Sequence, residues 1–333
     1  MAKHEQDGGA DGELTAQEAA IYDRQMRLWG VEAQKRLQNS HILISGMTQL
    51  GSEVAKNLVL SGMSVTLHDV NVVTRANVDT QFFLTEDQIG LNRAEACLAA
   101  VQELNPLVKV NAITKPLEYY PRDHFDQYSV ICTLSASRKL QVFPLHIVSP
   151  PKRKNIAFYA GHAFGLSGIF FCDLGSEHVY RRHVQSADPS VAADTPDLNV
   201  SYASLETSAL VPWSSLQPTR KRSPVTPAPY IAYQLLLEFL EATDAFPTAA
   251  TTDQFVALAT SRLESQGLPG FFDRSQLATL AATATADVVP VCAIVAGILG
   301  QEVIKAISKK DEPLNNYFFF DGATGEGTVR RIG

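Results

Sequence analysis

At 333 residues the chain is long enough to bury a large core, and length alone suggests about two domains. Its apolar share of 45% and charged share of 19% are ordinary for a soluble globular protein. A net charge of −7 argues against a dedicated nucleic-acid binder, which carries a strong basic excess.

Residues 1–15 are polar, acidic and Gly-rich, with no apolar run to act as a secretory signal, and are expected to form a disordered tail. From 16 to 37 the apolar residues Ala20, Ile21, Leu28, Trp29, Ala33 and Leu37 recur near the helical period, predicting one helix. Residues 41–45 form a short apolar run ended by Gly46, as expected of a buried parallel strand. The turn Gly46-Met47-Thr48-Gln49-Leu50-Gly51 opens a second helix, which Ser61-Gly62 stops. A second strand over 64–69 ends in Asp69, completing a βαβ unit.

The alternation continues with a helix at 92–104, strands at 108–113 and 129–134, a helix at 139–148, and strands at 156–159 and 169–174. It predicts a Rossmann-like, doubly wound α/β sheet over residues 16–180. An irregular crossover and helical insertion is expected over 181–288. Pro, Ser, Thr, Ala and Asp dominate 186–229, read as a long, poorly ordered connection into which Val211-Pro212-Trp213 docks. Helices follow at 230–243, 252–265 and 275–286. The last unit, 289–333, holds a helix at 291–308 with Pro290 in its first turn, then strands at 317–322 and 328–332. That helix is apolar nearly all round in its first half and should be buried. Its apolar run, Val288 to Gly300, falls short of the roughly 20 residues a bilayer requires, so no membrane partner is expected.

Nucleotide chemistry would belong at the first strand-to-helix turn, where glycines admit phosphate to a helix N-terminus. Asp69 lies near the offset of a ribose-binding acid. The GxGxxG pattern is broken, however, because Thr48 stands where its middle glycine belongs. Gly46 and Gly51 therefore read better as architectural than as ligand-binding. The four cysteines, Cys97, Cys132, Cys172 and Cys292, lie in apolar contexts and read as core residues of a protein from the reducing cytosol or nucleus. With eight scattered histidines, no metal site is expected. Arg220-Lys221-Arg222 reads first as an ordinary solvated run, with a nuclear-import patch as the alternative.

Tyr22-Asp23-Arg24-Gln25-Met26-Arg27-Leu28-Trp29-Gly30 resembles the opening signature of the ubiquitin-like modifier-activating enzymes. The stretches 55–62, 77–82, 90–96 and 104–106 continue the likeness, as does the helix from Pro290 to Ser308. Asn315-Asn316-Tyr317-Phe318-Phe319-Phe320-Asp321-Gly322 is similar to the small-subunit family of the SUMO-activating type. The resemblance implies an adenylation fold acting as a dimer or pseudo-dimer. Its catalytic halves bind ATP and magnesium and adenylate a modifier's C-terminal glycine carboxylate, which a cysteine of the large subunit then takes as a thioester.

This sequence departs from the active pattern where that pattern does chemistry. Thr48 and Gln49 replace glycines, Thr80 replaces a phosphate-gripping arginine, and Arg93 replaces a lysine. No carboxylate stands in Thr133-Leu134-Ser135-Ala136-Ser137-Arg138, where a magnesium-binding Asp belongs. The resemblance therefore implies a non-catalytic subunit that binds no cofactor itself, with Gly46, Gly51 and Asp69 vestigial. ATP and magnesium would sit in a larger catalytic subunit, and Arg24 would reach in trans into that subunit's ATP site. The complex, expected in the nucleus and also the cytoplasm, would meet a SUMO-like modifier. Alternatives are the regulatory subunit of the neddylation-activating enzyme, a self-sufficient homodimeric adenylyltransferase, and a nicotinamide-dependent oxidoreductase.

Overall fold

The computed structural model describes residues 15–134, 156–182, 196–220 and 225–333. The helix expected at 139–148, residues 135–138 of the magnesium region, residues 1–14, and Lys221 and Arg222 of the basic run lie outside the described residues.

Thr15 caps helix α1 (Ala16–Trp29), its hydroxyl accepting from the Glu18 N–H while Glu18 bonds back to the Thr15 N–H. The single helix expected over 16–37 is two. Gly30 takes φ 85° and ψ 164°, a conformation glycine tolerates, and α2 (Val31–Gln38) restarts beyond it. Strand β1 (His41–Ser45) leads through the glycine turn into α3 (Gln49–Leu60) and then β2 (Ser64–His68). Short α4 (Arg75–Thr80) and longer α5 (Arg93–Leu104) precede β3 (Val110–Ile113) and β4 (Val130–Thr133).

Among the described residues the sheet has eight strands, in the order β10 (Glu326–Arg330), β9 (Tyr317–Asp321), β6 (Ser167–Asp173), β5 (Ala157–Phe164), β4, β1, β2, β3. Strands β3, β2, β1, β4 and β5 run parallel, so the order reverses at β1, which creates a switch point between β1 and β4. Beyond β5 the sheet turns antiparallel through β6, β9 and β10. The last strand lies earlier than the expected 328–332, because its register is set by pairing Glu326 with Asp321 across the Gly-rich turn. β5 also runs on past 159, since it forms a hairpin with β6 at Gly165, φ 56°.

Both faces of the sheet are covered, so successive residues of one strand enter different cores. Ile42 and Ile44 join the cluster under α3 and α5, while Leu43 joins the opposite cluster. The opposite cluster is built with α7 (Ala228–Thr243), α8 (Thr252–Ser265) and α9 (Arg274–Thr283). The described part of the expected irregular crossover is structured. β7 (His178–Tyr180) pairs with β8 (Leu198–Val200), α6 (Leu205–Ala209) follows, and Trp213 and Leu216 are buried in the α7–α9 cluster. The final helix, α10 (Val289–Ser308), packs on α3 and crosses β6 at Gly168, where a Cβ would stand 2.4 Å from the Val295 Cγ2.

Candidate functional site: a nucleotide turn filled from within

The turn after β1 has the geometry of a phosphate loop and the contacts of a closed one. Gly46 has φ 100° and donates its N–H to the His68 carbonyl at 2.8 Å, tying the turn to β2. Gly51 meets Gly46 so closely that a Cβ there would lie 2.0 Å from the Gly46 oxygen. These two glycines satisfy the backbone's own packing, which accounts for their presence without any ligand.

Three N–H groups of the turn, those of Met47, Gln49 and Gly51, are engaged by side chains of this chain. Thr48 is the N-cap of α3, and its hydroxyl accepts the Gly51 N–H at 3.2 Å. The same hydroxyl donates to the Leu134 carbonyl at 3.3 Å, bridging to the end of β4 across the switch point. The Asp287 carboxylate, just before α10, accepts the Gln49 N–H at 3.4 Å. Burial pushes the Asp287 carboxyl above its ordinary range, while that N–H and the nearby Arg93 pull it down. A carboxylate at a helix N-terminus sits where the macrodipole favours an anion, and it repels a second one.

Asp69 is 3% exposed and equally committed. One oxygen accepts the Met47 N–H at 2.8 Å and the other accepts from the Asn71 backbone at 2.9 Å. Arg93, itself mostly buried, pairs with the same carboxylate at 3.1 Å. Asp69 thus holds the glycine turn and the start of α5 together. Gln81 completes the enclosure, donating to the Met47 carbonyl at 3.1 Å and accepting from the Ser52 hydroxyl at 2.9 Å. Thr80 spends its hydroxyl on its own helix, at the Ala76 carbonyl. Thr48, Asp287 and Gln81 thus occupy the turn from within the chain. Among the described residues, no group of three or more His, Cys, Asp or Glu is placed to hold a metal ion.

Gly46, Gly51 and Asp69 therefore come together, and Arg24 does not join them. It lies on α1, which packs against the far end of α3; that helix of 12 residues spans about 18 Å. Tyr22 is fully buried and its hydroxyl accepts from the Asn105 amide at 2.8 Å. Gln25 donates to the Leu60 carbonyl at 3.2 Å. Arg27 pairs with Asp23 at 2.8 Å in solvent. Arg24, by contrast, is exposed and has no hydrogen bond or ion pair among the described residues. Exposed Ile21 and Leu28 flank it at helical spacing, Leu28 at 76% exposure.

The cysteines are all buried. Burial pushes the Cys97 thiol up to about 12 and raises those of Cys132, Cys172 and Cys292 as well, so none is a ready nucleophile. Asp287, Gln81 and Asn105 were not expected at these places. Asp287 lies more than 230 residues from the turn it caps, and no local pattern links the two. Gln81 and Asn105 fell inside motif stretches, but nothing there showed which carbonyls they would meet.

A match to the ThiF family spans residues 22–333. The protein named SUMO-activating enzyme subunit 1 of Xenopus tropicalis is 35% identical, over 96% of this chain and 97% of its own length. Its namesake in Xenopus laevis is 36% identical over the same shares, and that of Homo sapiens 34% identical over 100% and 99%. Among solved structures the chain is similar to E. coli MccB with succinimide, at a TM-score of 0.53 and 14% identity. That likeness is one of fold alone, covering 94% of this chain and 72% of the other.

Proposed function

The chain belongs to the ThiF family, beside relatives that are subunits of a SUMO-activating enzyme, and from that premise we propose that it is the non-catalytic subunit of such an enzyme. It pairs with a larger catalytic subunit, which holds ATP and magnesium, adenylates the modifier and carries its thioester. This chain contributes Arg24 to the ATP site of that subunit. A guanidinium stays charged at every relevant pH and matches phosphate oxygens in a fork. Adenylation releases pyrophosphate, so negative charge builds on the β and γ groups as the bond to the α-phosphorus breaks. Arg24 would stabilise that charge.

One observation carries the reading. The chain fills its own phosphate turn with Thr48 and Asp287, yet leaves Arg24 exposed, and unpaired among the described residues, on a firmly anchored helix. A self-sufficient adenylyltransferase would need that turn open. The test is ATP–pyrophosphate exchange by the complex with and without Arg24→Ala. Removing one such donor should lower the exchange rate on the order of 10²-fold, with assembly of the two subunits intact. Unchanged exchange would remove Arg24 from the mechanism. Exchange by this chain alone would overturn the non-catalytic reading.

A further inference from the structure

The last turn of α3 ends in three consecutive carbonyls, and each meets a side-chain amide from a different element. Asn105, just beyond α5, donates to the Val59 oxygen at 2.9 Å. Gln25 of α1 donates to the Leu60 oxygen at 3.2 Å. Gln34 of α2 donates to the Ser61 oxygen at 3.1 Å. Carbonyls at a helix C-terminus lack partners within the helix and carry its negative end, so an amide clamp there is favourable. The clamp is tightly built. Gln34 is fully buried and accepts the Trp29 indole N–H at 3.0 Å, and a Cβ on Gly62 would meet the Gln34 amide nitrogen at 2.9 Å.

Three of the tied residues belong to α1, and their angles around its axis differ. At about 100° per residue, Tyr22 and Trp29 lie within roughly 20° of each other, on one line along the helix. Two anchors on one line leave the helix free to roll about them. Gln25 stands about 60° from Tyr22, on the side toward Ile21, Arg24 and Leu28. With the Glu18 carboxylate, which lies about 40° from Tyr22 on the same side and accepts from Gln38 of α2 at 3.0 Å, it resists the roll; of the two, Gln25 is the one that ties α1 to α3 itself, one residue from Arg24. A roll of some ten degrees displaces a guanidinium at the end of its side chain by about 1 Å, and misplacement on that scale costs up to about 10²-fold in rate.

We propose that Gln25 is a positioning residue for Arg24, its bond to the Leu60 carbonyl fixing the rotation of α1 that aims the guanidinium. This rests on the reading that Arg24 acts in the partner's ATP site. The Gln25 donor is the half of the amide that matters, because its Oε1 is buried with no partner among the described residues. Gln25→Glu keeps shape and removes that donor, and Gln25→Met removes it without adding charge.

The experiment is ATP–pyrophosphate exchange by the two-subunit complex carrying Gln25→Glu, Gln25→Met, Arg24→Ala, or Arg24→Ala with each Gln25 change. Subunit assembly and thermal midpoint are measured alongside. Each Gln25 variant should lower exchange about tenfold with assembly unchanged. In the Arg24→Ala background the same changes should have no further effect, because there is no guanidinium left to misaim. Losses that multiply in the double variants would overturn the proposal, since Gln25 would then act independently of Arg24. If Arg24→Ala lowers exchange while both Gln25 variants match the parent, this proposal fails and the Arg24 reading stands. If Arg24→Ala has no effect, both fall.

Discussion

His162 shows what burial does to a titratable side chain that no motif singled out. Its imidazole stacks on the Phe246 ring at 5.5 Å and lies 5.7 Å from both Phe164 and Tyr233. Burial pushes it down to about 4, only partly offset by a hydrogen bond to the Ala284 backbone. The ring is neutral in the fold and takes up a proton near pH 6.5 once unfolded. Acid therefore favours the unfolded chain: the stability is complete above about pH 6.5 and is lost as pH falls toward 4. The shift corresponds to about 3 kcal/mol. His178, lowered to about 4 by burial and by Lys309, adds in the same sense. Asp173 and Asp287, raised by burial, act oppositely, because acid relieves the penalty on their ionised forms. His162→Phe fills the same aromatic niche without titrating. Urea midpoints measured from pH 7 to pH 4 should fall less steeply for that variant than for the parent. Parallel slopes would show that His162 does not contribute. At the phosphate turn, the sequence, with Thr48 in a glycine position, raised the expectation of a turn that serves architecture rather than a ligand. What it could not show was that the hydroxyl would itself cap α3, or that Asp287 would arrive from the other end of the chain.

Elements with a regular apolar period were legible, and those held by isolated anchors were not. Strand β1 and helix α3 appear close to where residues 41–62 place them, because a buried parallel strand and an amphipathic helix each repeat one signal several times. The break at Gly30 was missed since the apolar period continues across it, and only the backbone angle reveals two helices. The stretch 196–220 was expected to be poorly ordered apart from the docking of Val211-Pro212-Trp213; Trp213 does dock, and the order of the rest was missed because it depends on that docking. Its order comes from a few large side chains, chiefly Trp213 at 3% exposure, with the Arg262 guanidinium 5.4 Å from the indole ring. The Gln266 side chain also accepts the Trp213 N–H at 3.2 Å, fastening the stretch to the end of α8. Trp213→Ala should cost about 3–5 kcal/mol and free this segment from α7 and α8. Denaturant midpoints together with hydrogen exchange over 198–216 would read both effects. A loss below 1 kcal/mol with unchanged exchange would mean that the segment is ordered by something other than its tryptophan.

At the scale of the whole molecule, the sheet and its two cores followed from strand–helix alternation, while the exposed face of α1, proposed to meet the partner, did not. The α1 face shows why. Ile21 and Leu28 fit a helical period and so read as core or interface alike, but the structure leaves them 47% and 76% exposed. Tyr22 faces inward and supplies the burial that α1 needs. Exposed apolar side chains bracketing an arginine with no partner among the described residues are what a partner would cover, with the guanidinium carried in beside them. This separates two costs that usually travel together. Leu28→Asp removes an exposed side chain, so the isolated chain should keep its stability within about 0.5 kcal/mol. In the complex the new carboxylate would be desolvated beside the partner, and subunit affinity should fall at least about tenfold, the equivalent of roughly 1.4 kcal/mol. Calorimetric titration of the larger subunit with each form, beside a thermal melt of each chain alone, distinguishes the two. Equal affinities would place the subunit interface elsewhere, and Arg24 could then no longer be delivered by this face of α1.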